Sequence, residues 1–312
     1  MMIETTNLTK EFGDVTAVDG IDLEVATGQI HGFVGPNGAG KTTAMQMLVG
    51  LLTPTEGSAT IDGEPAGSMA AREVLGYSPQ EPAFYDSMTG RRYLEYMANV
   101  AGMGSSAARE RTDEMLAWLD LEDAADKPIG GYSGGMKRRL SLGQAMIHDP
   151  ELLILDEPTA GLDPSGRRTI IESLQRLTAE GMTVFVSSHV LAELEQFIET
   201  VTILVDGEIV ETASLDAIKD RYGGEAFAVD TADNEAVVDL LAAQSWVTTA
   251  RIDDGTVTVM TDQPEAFKRK LQQLLAEEGI VLESMQQEGG LEDAFADIIQ
   301  ADTEESPEVV ER

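Results

Sequence analysis

The sequence has no cysteine, few histidines and no long apolar run. Its 312 residues include no cysteine and three histidines, which excludes disulfide bonds and thiolate metal sites and leaves few ligands for a metal cluster. The apolar stretches, such as LLILDEP, have the length of a strand, whereas a bilayer-spanning helix needs roughly 20 apolar residues. The first residues lack the basic start and apolar middle of a secretory signal. These absences predict a cytosolic chain without a membrane-spanning segment.

Positive charge is also scarce. The chain has 21 Lys and Arg against 56 Asp and Glu, a formal net charge of -35 and a pI near 4.2. A field of that sign repels polyanions and excludes nucleic acid as a partner. The acidic residues are spread along the chain, and Arg outnumbers Lys by 14 to 7. This composition resembles that of salt-accumulating halophiles, in which a Debye length of roughly 3 Å screens the repulsion. It predicts a halophilic archaeal source, and an acidic mesophilic protein is the alternative.

The order of predicted strands and helices indicates an α/β fold. Strand patterns dominate from Ile3 to about Gly63, and a helical insertion follows at about 86–150. Near-continuous apolar runs, LLILD and TVFVSS, then predict parallel strands that are buried on both faces. A helical pattern, VLAELEQFIE, separates TVFVSS from TVTILVD, as expected in a doubly wound sheet. We expect this domain to cover residues 1–220.

A second, smaller domain is predicted at 225–300. Composition changes after Ala213, and RYGGEA at 221–226 is typical of a linker. The following elements read as strand AFAVDT, helix NEAVVDLLAA, strand WVTTARI, a tight turn at Asp254-Gly255, strand TVTVMT, helix PEAFKRKLQQLLAEE and strand IVLESMQQ. This β-α-β-β-α-β order favours a ferredoxin-like unit. Residues 301–312 form an acidic tail that we expect to be frayed.

The segment GPNGAGKTT fits the P-loop pattern G-x-x-x-x-G-K-[ST] and lies, as that motif requires, between an apolar strand and a helix. Its residues are Gly35, Pro36, Asn37, Gly38, Ala39, Gly40, Lys41, Thr42 and Thr43. Glycines let the backbone wrap a phosphate chain, and the helix N-terminus adds positive partial charge. Lys41 would reach the β- and γ-phosphates, Thr42 would ligate Mg2+, and Thr43 would bond a phosphate oxygen. The segment therefore predicts that the chain binds ATP with Mg2+.

Two carboxylates follow the apolar strand in LLILDEP. Asp156 and Glu157 stand at the C-terminal end of that strand, the edge at which open α/β sheets bind their ligands. Asp156 would hold Mg2+, directly or through water, and Glu157 would act as general base for the attacking water. Two solvated carboxylates at a strand end would have the same pattern. By itself this element leaves the alternatives open.

A third element, YSGGMKRRLSLGQAMIHDP, predicts a helix that Ser133 caps and whose first residues, Gly134 and Gly135, expose backbone N–H groups. Such a terminus binds anions, although a plain capped helix has the same pattern. The order of P-loop, SGG helix and LDEP is no longer generic, and it resembles the ATP-binding cassette (ABC) family. The resemblance implies a P-loop ATPase core, an antiparallel β subdomain and an inserted helical subdomain.

The resemblance implies roles for further residues. Gln80, in YSPQEP, matches the Q-loop residue that touches Mg2+ or water and reports to the membrane subunit. Asp163, at the end of AGLD, matches the D-loop that aligns two sites, and His189 matches the switch histidine at the γ-phosphate. Phe12 stands where the family has an adenine-stacking aromatic, more often Tyr, and could equally be a core residue. Met136 replaces the Gln that many members have in the signature loop.

The resemblance also implies the unit of action. Signature and P-loop lie far apart in one family subunit, so two chains must face head to tail, with ATP between Lys41 of one and Ser133 of the other. We therefore expect a dimer, in which hydrolysis drives a separate membrane permease. The chain would then lie on the inner face of the membrane without inserting into it.

The variant signature YSGGMKRRL and the ending GGLEDAFADII, with Leu291, Glu292, Asp293 and Phe295, resemble the ATPases of ABC-2-type exporters. Two other readings compete with an exporter subunit. One is a soluble cassette ATPase in assembly or translation, although a second cassette and a basic linker are not visible. The other is a regulatory module with a degenerate site, against which the intact carboxylates and Lys41 speak.

Overall fold

The computed structural model describes residues 1–179, 181–189, 194–195, 197–222, 225–253, 255–261 and 263–288. Met1–Ala213 forms one compact unit, and the chain from Ser214 onward belongs to a second. This division falls before residue 220, where the sequence places the end of the first domain. The predicted helix at 190–199 and the predicted linker lie partly outside the described residues. Asp254, the motif at 291–295 and the tail at 301–312 lie entirely outside them.

The first unit contains two sheets. Its strands are β1 (Ile3–Phe12), β2 (Val15–Ile21), β3 (Glu24–Val25), β4 (Ile30–Val34), β5 (Glu56–Ile61), β6 (Glu64–Pro65), β7 (Leu75–Ser78), β8 (Leu152–Leu155), β9 (Thr183–Ser188), β10 (Thr200–Val205) and β11 (Glu208–Ser214). An antiparallel sheet has the order β2-β1-β5-β6, with β3 paired to β1. A second sheet has the order β11-β10-β4-β9-β8-β7, with parallel pairing from β10 through β7. This arrangement confirms the predicted α/β fold.

The parallel strands are buried on both faces, as their apolar runs predict. Every residue of β4, β8 and β9 is buried, and the rings of Phe33 and Phe185 pack 5.2 Å apart between the sheets. His31 is the polar exception on β4, where its Nε2 lies 2.8 Å from Thr202 Oγ1. Burial lowers the pKa of His31 to about 4, so the ring is neutral near pH 7. Its hydrogen bond satisfies the polar atom that the sheet encloses.

Helices cover the parallel sheet and form the insertion predicted at 86–150. They are α1 (Lys41–Leu48), α2 (Met69–Val74), α3 (Gly90–Val100), α4 (Ser105–Trp118), α5 (Gly134–Met146) and α6 (Pro164–Ala179). Helix α3 begins where Thr89 Oγ1 accepts a hydrogen bond from the Arg92 N–H, and α3, α4 and α5 bury Leu94, Leu116 and Leu140 between them. The helical insertion therefore has buried apolar residues of its own, and the start of α5 lies at its surface.

The second unit is a four-stranded antiparallel sheet with helices. Its elements are α7 (Leu215–Tyr222), β12 (Glu225–Thr231), α8 (Asn234–Ala242), β13 (Thr249–Asp253), β14 (Thr256–Thr261), α9 (Pro264–Glu278) and β15 (Leu282–Glu288). The strand order is β13-β14-β12-β15. The strand predicted from Trp246 starts only at Thr249, because Trp246 turns into the core against Phe267 and its carbonyl accepts a hydrogen bond from the Thr261 hydroxyl. The element order is otherwise the predicted one.

Candidate active site

The P-loop connects the end of β4 to the start of α1, and two of its glycines are required by close backbone contacts. A Cβ on Gly35 would lie 2.2 Å from the Leu204 carbonyl oxygen, and a Cβ on Gly40 would lie 2.2 Å from the Ala17 carbonyl oxygen. Gly40 also has a φ of +101°, which residues with side chains rarely adopt. The loop therefore lies tightly between β2 and β10. Helix α1 begins directly after it, and the free N–H groups of such a helix N-terminus bind anions.

Lys41 is buried at the first position of α1. Its Nζ donates hydrogen bonds to the Gly35 carbonyl at 2.6 Å and to the Pro36 carbonyl at 3.1 Å, and it lies 3.7 Å from Glu157 Oε1. Burial lowers the pKa of Lys41, while the charges of Glu157 and Asp156 raise it. The ammonium group thus stands between the P-loop backbone and the two carboxylates. A polyphosphate placed in the loop would meet this charge directly.

Asp156 and Glu157 are buried at the end of β8, and Ser187 of β9 links them. The Ser187 hydroxyl donates to Asp156 Oδ1 at 2.6 Å and accepts the Glu157 N–H at 2.9 Å. Asp156 Oδ2 is buried and has no hydrogen-bond partner within the part of the chain that the structure describes. A buried carboxylate oxygen without a partner costs free energy unless a cation or donor reaches it. The Asp156 side chain is therefore oriented with one oxygen left for a ligand.

Glu157 is held in a strained backbone conformation with both carboxylate oxygens engaged. Its φ of 49° lies in the left-handed region, which typically costs a residue with a side chain about 1–3 kcal/mol. Its Oε2 lies 2.7 Å from His189 Nδ1, and its Oε1 faces Lys41. An ionised carboxylate only accepts hydrogen bonds, so His189 Nδ1 is the donor in this contact. The histidine ring thus orients the Glu157 carboxylate.

A cavity of about 200 Å³ lies between the P-loop, Gln80 and Glu157. It is lined by Ala17, Asn37, Gly38, Gly40, Lys41, Thr42, Thr43, Gln80 and Glu157. The cavity therefore lies where the P-loop backbone and Lys41 would hold a phosphate chain. The structure thus brings six of the nine predicted P-loop residues together with Gln80 and Glu157, while Gly35, Pro36 and Ala39 are not in the lining.

Phe12 does not line this cavity. It is half exposed at the end of β1, with Lys10 Nζ 5.3 Å from its ring centroid. The alternative that Phe12 is a core residue is wrong, because half of its surface meets solvent. An exposed aromatic beside a lysine can stack on a base, and the stacking role stays a prediction.

The signature residues are also outside the cavity. The Ser133 hydroxyl accepts the Met136 N–H at 3.3 Å and so caps α5, while Ser133 and Gly134 are exposed. Nothing lies within 4 Å of a Cβ built on Gly134. Asp163 Oδ1 accepts the Gly166 N–H at 3.2 Å at the start of α6 and is exposed as well. These residues present a capped helix end to solvent rather than to the chain's own cavity.

Two residues of this site are missing from the sequence predictions. Ser187 orients the Asp156 carboxylate and the Glu157 backbone, and a signal for it exists, since it is a polar residue directly after the run TVFV in β9. Arg138 donates hydrogen bonds to the Pro79, Gln80 and Ala160 carbonyls and so reaches the loops on both sides of the cavity. Sequence spacing carries no signal for Arg138, because its acceptors are distant backbone oxygens.

No helix among the described residues is long and apolar enough to cross a bilayer. No group of three or more His, Cys, Asp or Glu side chains in the described part of the chain could hold a metal ion.

Comparison with known proteins gives the family. The ABC transporter family model matches residues 18–160. The ABC transporter ATP-binding protein YxlF of Bacillus subtilis (strain 168) is 40% identical over 228 residues, which are 73% of this chain and 76% of that protein. The Nod factor export ATP-binding protein I of Burkholderia orbicola (strain AU 1054) is 36% identical over 272 residues, 86% of this chain and 89% of that protein. A solved ATP-binding cassette dimer in a post-hydrolysis state with ADP and Pi has a TM-score of 0.64 and 26% identity, over 69% of this chain and 99% of that one. The chain therefore belongs to the ABC transporter ATP-binding proteins and is an ATP-binding, ATP-hydrolysing cassette of that family.

Proposed function

We propose that two copies of this chain face head to tail and hydrolyse Mg2+-ATP between them to drive an ABC-2-type exporter. The observation that carries the proposal is the separation of the site into two halves. Lys41, Thr42 and Glu157 line a cavity of about 200 Å³, whereas Ser133 and Gly134 stand exposed and outside its lining. A second chain's helix α5 completes the site by donating N–H groups to the γ-phosphate. The related cassette solved as a dimer with ADP and Pi supports this arrangement.

The residues present fit a magnesium ion. Asp156 Oδ2 is buried without a hydrogen-bond partner among the described residues, and Thr42 and Gln80 line the adjoining cavity. Mg2+ prefers oxygen ligands and usually takes only one or two protein side chains plus substrate phosphates and water. Thr42 and Asp156 would hold the ion, with Gln80 contacting it or its water. The ion would neutralise charge on the β- and γ-phosphates.

The side chains of this site have distinct tasks in hydrolysis. Lys41 binds the phosphate oxygens, and this contact competes with its hydrogen bonds to the Gly35 and Pro36 carbonyls. Glu157 accepts the proton of the attacking water at its carboxylate. His189 orients that carboxylate through Nδ1, and an Nε2–H of the same ring would donate to the γ-phosphate. Ser187 holds the Asp156 carboxylate and the Glu157 backbone in place through its hydroxyl.

The export assignment rests on relatives. The Nod factor export protein aligns over 272 residues, more than the 213 of the first unit, so the likeness extends into the second unit. That unit is proposed to be a ferredoxin-like accessory domain, which its strand order β13-β14-β12-β15 supports. We place the chain in the cytoplasm, against the membrane through its permease. The net charge of -35 supports a halophilic archaeal source.

The variant Glu157→Gln tests the chemistry and the dimer together. We expect phosphate release to fall by about 10²–10⁴-fold, the usual contribution of a general base, while ATP binding persists. ATP should then trap a dimer that gel filtration detects. Glu151→Gln is the matched control, because Glu151 precedes the same strand and its side chain is exposed. Normal turnover in Glu157→Gln, or a monomer at saturating ATP, would contradict the proposal.

A further inference from the structure

Arg138 lies one turn into α5, behind the exposed signature residues, and its half-buried guanidinium points to the chain's own active site. It donates hydrogen bonds to the Pro79 carbonyl at 3.2 Å, to the Gln80 carbonyl and to the Ala160 carbonyl at 3.3 Å. The three acceptors belong to two loops, one after β7 and one after β8. One side chain thus spans the gap between these loops.

Both loops carry residues of the site. Gln80 lines the cavity beside Lys41 and Glu157. Ala160 follows Glu157 in a turn, in which the Ala160 N–H donates to the Glu157 carbonyl at 3.1 Å. A displacement of either loop would therefore move a group that faces the substrate.

A second contact fastens the same face of α5. Ser141 lies three residues after Arg138, and its hydroxyl is 2.8 Å from the Ser78 hydroxyl at the end of β7, with both groups buried. The backbone of Ser78 in turn accepts the Asp156 N–H at 2.9 Å. Helix α5 is therefore pinned to β7 at Ser141 and reaches over the two loops at Arg138.

The charge of Arg138 suits this position. Burial lowers the pKa of Arg138, while Asp156, Glu157 and Glu81 raise it, so the cation sits within the field of the site's carboxylates. The planar guanidinium has donors in a fixed fork and can bond several carbonyls at once, which a lysine ammonium on a flexible stem cannot reproduce. The chemistry of the acceptors thus specifies arginine.

The neighbouring Arg139 provides a natural comparison. It points away from the site and donates to the Leu119 carbonyl at 2.8 Å and the Asp120 carbonyl at 3.0 Å, with an ion pair to the exposed Asp120 carboxylate. It is partly buried, as Arg138 is, and has a similar number of carbonyl partners. The difference that matters is the position of its acceptors, which lie within the helical insertion and not in the loops of the site.

We propose that Arg138 is a positioning residue that holds the Gln80 loop and the Glu157 loop in register with the signature helix. Binding of the partner chain's nucleotide at Ser133 and Gly134 then adjusts the geometry of the chain's own base through this guanidinium. The inference rests on the proposed two-chain site. It adds a physical link between the signature residues, which complete the partner chain's site, and the phosphate half of the chain's own site.

The test compares Arg138→Gln, Arg138→Lys and the matched control Arg139→Gln in the full chain. In Arg138→Gln we expect kcat to fall by about 10–100-fold, since small misplacements of reacting groups cost factors of that size. The KM for ATP should change by less than about threefold, because Lys41 and the P-loop are untouched. The Hill coefficient for ATP should drop from above 1 towards 1, as expected when coupling between two sites is lost. Arg138→Lys should recover part of kcat, and Arg139→Gln should match the unsubstituted chain.

Several outcomes would overturn the inference. If Arg138→Gln and Arg139→Gln have the same kcat and Hill coefficient, Arg138 positions nothing. If Arg138→Gln does not fold, as judged by its thermal melt, Arg138→Lys decides: full kcat with an unchanged Hill coefficient in that folded variant refutes the role. Failure here is distinguishable from failure of the proposed function, because Glu157→Gln reports on the base and the dimer without involving Arg138.

Discussion

The two halves of the nucleotide site are held by the chain in opposite ways. The phosphate half is enclosed, with Lys41, Asp156 and Glu157 all less than a tenth exposed and Gly35 in contact range of a neighbouring strand. The signature half is a capped helix end, with Ser133 and Gly134 exposed and open space around Gly134. The first half is therefore formed by the folding of one chain, whereas the second would be completed by association in the proposed dimer. Substitutions in the two halves should fail in different assays.

The largest effect is expected in the enclosed half, from Gly35→Ala. The added methyl group would lie 2.2 Å from the Leu204 carbonyl oxygen, so β10 or the P-loop must move. Overpacking against backbone of this kind costs about 3 kcal/mol or more, which lowers Tm by roughly 6 °C or more in a domain of this size. ATP binding should be lost with it, because the loop changes shape. Calorimetry and a nucleotide-binding titration measure both effects.

Gly131→Ala is the control for that substitution, because nothing lies within 4 Å of a Cβ at Gly131. We expect its Tm and ATP affinity to match those of the unsubstituted chain. Equal stability of Gly35→Ala and Gly131→Ala would show that the P-loop is not enclosed as described, and the contrast between the halves would disappear.

The exposed half is tested by Gly134→Val. The side chain enters open space, so Tm and ATP binding to the single chain should remain within error. It would stand in front of the N–H groups that the partner's γ-phosphate needs, and loss of such donors costs about 10²–10³-fold in turnover. Phosphate release should therefore fall by about 100-fold in a folded, ATP-binding protein. A Tm loss as large as that of Gly35→Ala would mean that the signature half is also part of the core.

Mixing two inactive variants sharpens this test. Gly134→Val keeps its phosphate half, and Lys41→Ala keeps its signature half. In a head-to-tail pair, one of the two sites then combines an intact phosphate half with an intact signature half. We expect the mixture to regain turnover that neither variant has alone. Without recovery at any ratio, the two chains do not share their sites.

The phosphate half was predictable from the sequence because its residues follow one another along the chain. GPNGAGKTT and LLILDEP each place their chemistry within a few residues of a strand end, where local backbone geometry decides the outcome. Their strands were also predictable, since runs such as LLIL are buried on both faces. The roles of the signature residues came instead from family resemblance, because in the proposed dimer their ligand is bound to the other chain.

Ser187 and Arg138 show what such patterns omit. Their importance comes from tertiary proximity: Ser187 bonds the Asp156 carboxylate and the Glu157 N–H from a neighbouring strand, and Arg138 bonds backbone oxygens in two loops. Every residue has a backbone carbonyl, so the residue types in a loop do not show which carbonyls accept a hydrogen bond. The late start of β13 has a similar cause, since Trp246 has strand propensity but is drawn into the core by Phe267.

The smallest effect expected is the dependence of dimer formation on salt, and it acts on the exposed half alone. Each chain has a net charge of -35, so closing two chains on one another brings like charges together. The Debye length falls from about 10 Å at 0.1 M to roughly 3 Å at 1 M, which removes most of this repulsion. We expect the dimerisation constant of Glu157→Gln with ATP to rise by about tenfold or more, roughly 1.4 kcal/mol, between 0.1 M and 2 M KCl. Gel filtration across a KCl series measures it, with ATP affinity of Gly134→Val as the single-chain control, which should change far less. A dimer that is complete at 0.1 M KCl would place the acidic residues away from the interface and would leave the composition without a role in assembly.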